Sequence, residues 1–391
     1  MGKQLWLDSK LCGQSFQLLP RIVEGILNSS QFFKFAASRR APRHLTAFAA
    51  RKNPSMKVLF NCNLPFCLAH GGQAIQVHQT MGALRRVGVE VEPLRWWDES
   101  QTGDVLQFFG RMSSEQIRLA QQKNMKVVMA ELLTGAGSRS RPQLRVQKLV
   151  SRLVQWLAPR SFTAAYNWQS YQWADALVAN TPVEKHLMEY LFDAAPEKTF
   201  VLPNGVEDEF FAAPAVPRGQ WLVCTGVITE RKRVLELGRA AVAAQTPLWV
   251  IGKAYGENDS YAQAFFALAQ QHPQVLRYEG PISDRAELAR IYRAARGFVL
   301  LSTKETRSLS SEEAAACECP LLLSDLPWAH STFGKHASYC PVTDSVETTA
   351  KVLREFYDDA PRLPLPPRPL TWDDVGRQFK ALYESLIKTS R

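Results

Sequence analysis

Two glutamates, Glu305 and Glu313, stand with seven residues between them in the run ETRSLSSEEAAACECPLLLSD. The apolar stretch GFVLLST just upstream reads as a buried strand, so Glu305 lies just past its carboxyl end. Glu313 then falls in the first turn of the following helix. Two carboxylates placed this way can reach different hydroxyl groups of one polar ligand. The free amides of Leu309 to Glu312 at that helix start favour an anion. Ser310 and Glu313 also form the S-x-x-E pattern of a capping box, which needs no ligand, and the two roles can coexist.

A second constellation is TGVITERKR, residues 225 to 233. A strand ends at Gly226, and Arg231, Lys232 and Arg233 open the next helix. Cations at such a point suit a diphosphate, whose leaving charge must be neutralised in a transition state. A solvated helix face accounts for at least one of the three equally well. A third is HGGQAIQ, where His70, Gly71, Gly72 and Gln73 follow the first strand. Paired glycines allow the close backbone approach that a phosphate or sugar needs, and also make a plain tight turn. His70 fits a general base or an ordinary surface histidine. Glu131 is the nearest polar group at the end of the strand MKVVMAEL, and no nucleophile is assigned. No Asp-x-Asp accompanies these segments, and lysine and arginine can do a cation's work, so no metal or other cofactor is expected.

Parallel strands must position these groups. From Met56 the chain alternates strand and helix: KVLFNCN, a glycine turn and helix, VEVEPL, DVLQFFG, MKVVMAEL, DALVAN and KTFVLPNG supply strands. Helices are expected over RVQKLVSRLVQWL, TAAYNWQSYQWA and VEKHLMEYLF. The Ala/Pro/Gly-rich stretch at residues 212–220 reads as a linker, after which the alternation restarts at WLVCTG and runs to ASYCPV. A proline-rich bridge, DAPRLPLPPRPL, precedes an amphipathic helix with Val375, Phe379, Leu382 and Leu386 on one side. The expected organisation is a basic extension (1–55), a first α/β domain (56–214), a second (215–365) and a closing helix (366–391). Two doubly wound domains facing each other leave a cleft at the carboxyl ends of both strand sets, where ligands bind.

Bulk properties narrow the class. The chain has 391 residues, 46% hydrophobic and 21% charged, which suits two globular domains rather than a disordered or fibrous protein. No apolar run reaches the ~18 residues that span a bilayer, and the N-terminus lacks a secretory pattern. Seven scattered cysteines fit thiols in a reducing compartment, so a cytoplasmic location is expected, including the inner face of the membrane. Formal net charge is +10, which attracts phosphate-bearing partners. Nine of the cations lie within residues 1–55, against Asp8 and Glu24 alone. Because Met56 opens the first strand, residues 1–55 are expected to be a dispensable extension, from an upstream start or as a membrane-facing arm.

The ordered segments ADALVANTPVEKHLM, VLPNGVEDEF, GPISDRAELARIYRAARGFVLLST and ETRSLSSEEAAACECPLLLSD together resemble the retaining glycosyltransferases of family four, over roughly residues 56 to 390. The resemblance implies a GT-B fold, two Rossmann-like domains across a cleft with a C-terminal helix returning to the first. It implies a nucleotide-sugar donor, and a glycan or lipid-linked acceptor of the kind met in cell-surface polysaccharide synthesis. Glu305 would contact the donor sugar and Glu313 the nucleotide ribose. The neighbouring Thr306, Arg307, Ser308 and Leu309 would belong to the same donor site. Lys232 would grip the diphosphate, making Glu305 and Lys232 the catalytic pair, with Gly226 and Arg231 beside them. Pro281 and Ile282, like Lys253, follow strand ends of the second domain, and the loop at Pro281 would meet the base through its backbone. The family's Gly-Arg pattern places an arginine where this chain has Val227. Arg307, Arg231 and Arg233 are candidates to replace it, and Arg307 with Lys232 is the expected pair.

The helix containing Arg145 to Leu157 sets Val146, Leu149, Val150, Leu153 and Trp156 beside Arg145, Lys148 and Arg152. It reads equally as an interfacial helix on an anionic membrane or as a core element. A basic nucleic-acid-binding protein is the non-enzyme alternative, suggested by charge alone and by no nucleic-acid motif. A nucleotide-sugar epimerase on the same fold is the second enzyme alternative; it would release nucleotide without an acceptor.

Overall fold

The computed structural model describes residues 56–63, 66, 72–157, 167–256 and 258–388. The extension 1–55, His70 and Gly71 lie outside them. The first half runs β1 (Lys57–Cys62), α1 (Gly72–Arg86), β2 (Glu90–Pro93), β3 (Val105–Phe109), α2 (Ser114–Gln122), β4 (Lys126–Ala130), α3 (Thr134–Gly137), α4 (Arg141–Leu157), α5 (Ser170–Trp173), β5 (Ala176–Ala179), α6 (Pro182–Phe192) and β6 (Thr199–Val201). After α7 (Asp208–Ala212) come β7 (Leu222–Thr225), α8 (Val234–Ala243), β8 (Leu248–Ile251), α9 (Ser260–Gln271), β9 (Leu276–Tyr278), α10 (Arg285–Ala294), β10 (Gly297–Leu300), α11 (Leu309–Ala316), β11 (Leu321–Ser324), α12 (Pro327–Phe333) and β12 (Ser338–Cys340). Helices α13 (Val346–Asp359) and α14 (Trp372–Lys388) finish the chain.

Two six-stranded sheets result, ordered β2-β1-β3-β4-β5-β6 and β12-β11-β10-β7-β8-β9. Every pairing is parallel, as in Val58 beside Val105 and Phe298 beside Leu321. Parallel sheets are covered on both faces, and the strands accordingly read as continuous apolar runs: β3, β5, β7, β10 and β11 are buried along their whole length. Chain direction reverses between β1 and β3 in one sheet and between β7 and β10 in the other. Loops diverge at those switch points and leave room for a ligand.

The helix expected over TAAYNWQSYQWA reduces, among the described residues, to the single turn α5. Its aromatic residues serve tertiary packing instead: Tyr171 is fully buried and stacks on Phe192 with ring centroids 4.2 Å apart.

Helix α14 returns to the first sheet. Val375, Phe379 and Leu382 join Val58, Phe60, Val77 and Leu84 in one core, and Leu386 packs at its edge. The close approach depends on Gly376, where a Cβ would come within 2.9 Å of the Ala83 backbone. The Tyr383 hydroxyl donates to Gln107 Oε1 at 2.9 Å inside β3. The segment ahead of α14 also runs beside the inter-sheet connection, with Val206 and Thr371 bridged in parallel. Two chain crossings thus join the halves.

Candidate active site

A cleft of about 580 Å³ opens where the two switch points face each other. Its walls include Gly226, Arg231, Lys232, Pro281, Ile282, Glu305, Thr306, Arg307, Ser308, Leu309 and Glu313 from the second half, and Gly72 and Gln73 from the first. The structure therefore gathers these donor-side residues in one cleft, without Arg233 or Lys253. Val227 lines the cleft too, whereas Lys253 is exposed away from it.

The loop after β10 is fixed by its neighbours. Thr303 N–H donates to Arg231 O at 2.8 Å, and Arg231 Nη1 donates to Lys304 O at 2.8 Å. These bonds tie the loop to a 3-10 turn at Glu230–Lys232, capped by the Thr229 hydroxyl. Glu305 Oε1 receives both Arg231 Nη1 at 2.7 Å and Lys232 Nζ at 2.5 Å. Burial pushes the Glu305 carboxyl up, but the charges of Lys232 and Arg231 outweigh it and hold the group below its ordinary value. Gly226, at φ 151°, sits against the Lys232 stem. Gly252 is obligatory beside it, because a Cβ there would fall 1.8 Å from Gly226 O. Arg233 turns away from the cleft, pairing with Asp344 at 3.1 Å and donating to Thr343 O.

Glu313 occupies a different environment. Arg285 Nη2 donates to Glu313 Oε1 and also, at 2.5 Å, to Glu207 Oε2. Gln79 Nε2 donates to the other oxygen of Glu207 at 2.9 Å. One arginine thus joins α1, the inter-sheet connection, α10 and α11. Burial raises the Glu313 carboxyl, with Arg285 opposing, so the two cleft glutamates are displaced in opposite directions. Glu313 does not belong to a capping box. The N-cap of α11 is Ser308, whose side chain accepts from Ser311 N–H, which places Ser310 inside the helix. Leu309 and Ser310, which open α11, line the cleft, and the leading amides of a helix have no carbonyl partner within it.

Arg307 is largely committed. Its Nε lies 2.9 Å from Glu312 Oε1, an ion pair without hydrogen-bond alignment, and Nη1 reaches the Asn180 carbonyl at 3.5 Å. Glu312 is fully buried, and burial raises its carboxyl against the pull of Arg307. A further bridge across the cleft joins the Thr134 and Thr306 hydroxyls at 2.5 Å. In the first half, Glu131 is held by Arg111 at 3.0 Å and by the Tyr171 hydroxyl, beside the cleft rather than on its wall. Glu184 sits beneath, accepting from Leu133 N–H at 2.7 Å and Asn180 N–H at 2.9 Å.

Sequence reasoning missed Arg285, Glu207, Gln79, Thr134, Asn180 and Glu312. Arg285 directly follows the α10 N-cap Asp284, so it looked like an ordinary first-turn residue. Its partners lie 78 and 28 positions away, beyond any local spacing rule.

No family model matches the chain. It is 28% identical over 243 residues to a D-inositol 3-phosphate glycosyltransferase of Jonesia denitrificans, covering 54% of this chain and 56% of that one. It is 31% identical over 173 residues to the protein of that name from Kineococcus radiotolerans, covering 38% and 39%. The chain thus matches about half or less of the length of these curated relatives. Among solved structures, a glycosyltransferase from Rickettsia africae superimposes with a TM-score of 0.60 at 11% identity, over 86% of this chain and all of that one. A sucrose-phosphate synthase from Thermosynechococcus elongatus gives 0.58 at 17% identity, over 85% of this chain and 100% of its own. Anabaena HepE, in complex with UDP and glucose, gives 0.57 at 12% identity, over 84% and 100%. At these identities the likeness reaches as far as the fold, and together with the paired parallel sheets and the cleft between them it establishes that the chain has the GT-B architecture.

Proposed function

We propose that this chain is a retaining glycosyltransferase that moves a sugar, of hexosyl type, from a nucleoside-diphosphate sugar to a glycan or lipid-linked acceptor. The observation that carries the reading is Glu305, ion-paired with Lys232 and Arg231 on the wall of a cleft that Glu313 also lines. Four cationic side chains, Arg231, Lys232, Arg285 and Arg307, line the cleft against two carboxylates, which suits a diphosphate. The amides opening α11 add to that field. Phosphate oxygens arriving at Lys232 and Arg231 would draw these cations from Glu305 and free its carboxylate for sugar hydroxyls. The bond from the anomeric carbon to phosphate oxygen then breaks as the acceptor oxygen attacks on the same face, and the acceptor proton passes to the departing phosphate. Lys232 and Arg231 neutralise the charge left behind. This scheme requires neither a protein nucleophile nor a metal. Among the described residues, no group of three or more histidine, cysteine, aspartate and glutamate side chains is placed to hold one.

The resemblance to family four, the names of the relatives and the UDP held by HepE support a nucleotide donor. Cell-surface polysaccharide synthesis at the cytoplasmic face of a membrane is the setting that a lipid-linked acceptor implies. Arg231 is a better second phosphate cation than Arg307, whose departure would strand the buried Glu312. A thermal-shift panel of nucleosides and nucleoside diphosphates tests the donor site. A diphosphate at one hundred times its dissociation constant adds about 2.7 kcal/mol. No shift with any diphosphate would remove the donor reading.

A further inference from the structure

Helix α4 presents its apolar side outward. Val146, Leu149, Val150, Leu153, Trp156 and Leu157 are each between 49% and 79% exposed. At roughly 100° per residue these six fall within an arc of about 120°. The protein-facing side is formed instead by the half-buried Leu144, Gln147, Ser151 and Val154. Arg141, Arg145, Lys148 and Arg152 occupy an arc adjoining the apolar one, and the helix contains no acidic residue. Arg141 and Arg145 have no ion pair among the described residues. Lys148 lies over the Tyr190 ring at 4.0 Å, and Arg152 reaches only the exposed Asp193 at 3.2 Å. A core helix buries its apolar arc and a solvated one lacks it, so α4 is neither.

A hollow of about 360 Å³ lies between α4 and α6. Its basic lining is Arg139, Arg141, Arg145 and His186, with Tyr190 beside them and no carboxylate, over an apolar floor. Ala136 and Gly137 of α3 form part of that lining, while Thr134, at the other end of α3, lines the cleft.

We infer that α4 is a membrane-docking helix that lies in the surface of an anionic bilayer. The apolar arc enters the headgroup–acyl boundary, with Trp156 at that depth, and the flanking cations pair with lipid phosphates. Charge selects this occupant over a second copy of the chain. A two-fold contact through the apolar arcs would bring the cationic flanks of two copies together, with Arg141 and Arg145 lacking an ion pair among the described residues, whereas anionic lipid neutralises them. Docking by α4 sets the cationic hollow at the bilayer and α3 between that hollow and the cleft. The inference stands on α4 alone and survives failure of the transferase reading, because binding is measured without any donor.

The test is co-sedimentation of the full chain with vesicles of phosphatidylcholine, with and without 30 mol% phosphatidylglycerol (on the order of the anionic content of a natural leaflet). Binding is expected only with the anionic lipid and should weaken as salt rises. Leu149→Glu with Leu153→Glu should lower the partition coefficient by on the order of tenfold or more, with circular dichroism and melting temperature unchanged. Arg141→Glu with Arg145→Glu should remove the preference for anionic lipid. Brominated acyl chains should quench tryptophan fluorescence in the full chain and much less in Trp156→Phe. Equal binding to neutral vesicles would overturn the inference. So would binding that survives the double leucine variant but is lost in Trp96→Ala with Trp97→Ala, a pair exposed on another loop. Light scattering that finds a dimer abolished by the leucine changes would assign the face to a second copy instead.

Discussion

Glu305 is held on one oxygen by two cations, and Glu313 by one shared arginine with the Tyr292 hydroxyl donating at 3.5 Å to its other oxygen, so the two carboxylates answer differently to substitution. Glu305→Gln keeps the shape but releases Lys232 and Arg231. Turnover should fall by about 10²-fold or more while nucleoside diphosphate affinity is retained or improved, as steady-state rates and calorimetry would show. Equal loss of both would make Glu305 structural. Arg231→Ala should weaken nucleoside diphosphate binding by about 1.5 to 3 kcal/mol and leave nucleoside binding intact. Arg307→Ala should act mainly on stability, costing about 3 to 5 kcal/mol by abandoning the buried Glu312 carboxylate. An Arg307→Ala protein of normal melting temperature that loses diphosphate affinity would reverse the two roles. The residue types and places of Glu305, Lys232 and Arg231 were legible because each follows a strand end, where a linear reading already puts a cleft. The engagement of Arg307 was not. A buried partner five positions on, Glu312, reads in sequence as one more helix glutamate, and only packing reveals that it needs a cation.

At the scale of elements, alternating strands and helices fixed both sheets in advance, since a parallel sheet leaves apolar runs too continuous to mistake. Misreadings fell where tertiary context overrides local pattern. The aromatic stretch at α5 is compatible with helix, but Tyr171 and Trp173 answer to neighbours distant in sequence. The arc of α4 was ambiguous because periodicity reports an apolar side without saying what meets it. Glu184 carries no local signal of its role. It lies in the first turn of α6, and its carboxylate staples the loops after β4 and β5 through Leu133 and Asn180. Burial raises it from 4.5 to about 7 despite those bonds. A folded-state value above the unfolded one means that the stabilisation is full below pH 4.5 and is lost as pH rises through 7. The loss is on the order of 3 kcal/mol. Glu184→Gln should flatten that slope in urea titrations across this range. It should also cost about 1 to 3 kcal/mol at pH 5, because an amide offers one acceptor oxygen where two backbone N–H groups point. An unchanged slope would show that Glu184 does not titrate in this window.

For the whole molecule, the halves are joined by two chain crossings, by α14 and by side chains that bridge the cleft. Thr134 meets Thr306, Asn180 meets Arg307, and Arg285 links Glu313 and Glu207, the latter held in turn by Gln79. The crossings are covalent and α14 packs through apolar side chains, whereas the polar bridges can be exchanged for ligand or water. Arg285 matters most among them because it neutralises two carboxylates, one in each direction. Arg285→Met keeps an unbranched apolar stem while removing the charged guanidinium, which lies over the Phe210 ring at 4.7 Å. Glu207 and Glu313 would then repel each other with nothing between them. The cleft should open, raising the radius of gyration in solution scattering, and nucleoside affinity should fall with it, since Glu313 loses its fixed orientation. Glu207→Gln with Arg285→Met should relieve the repulsion and restore most of the compactness without restoring nucleoside affinity. If Arg285→Met scatters like the parent protein and melts at the same temperature, closure rests on the threonine and Arg307 bridges instead, and Arg285 serves Glu313 alone.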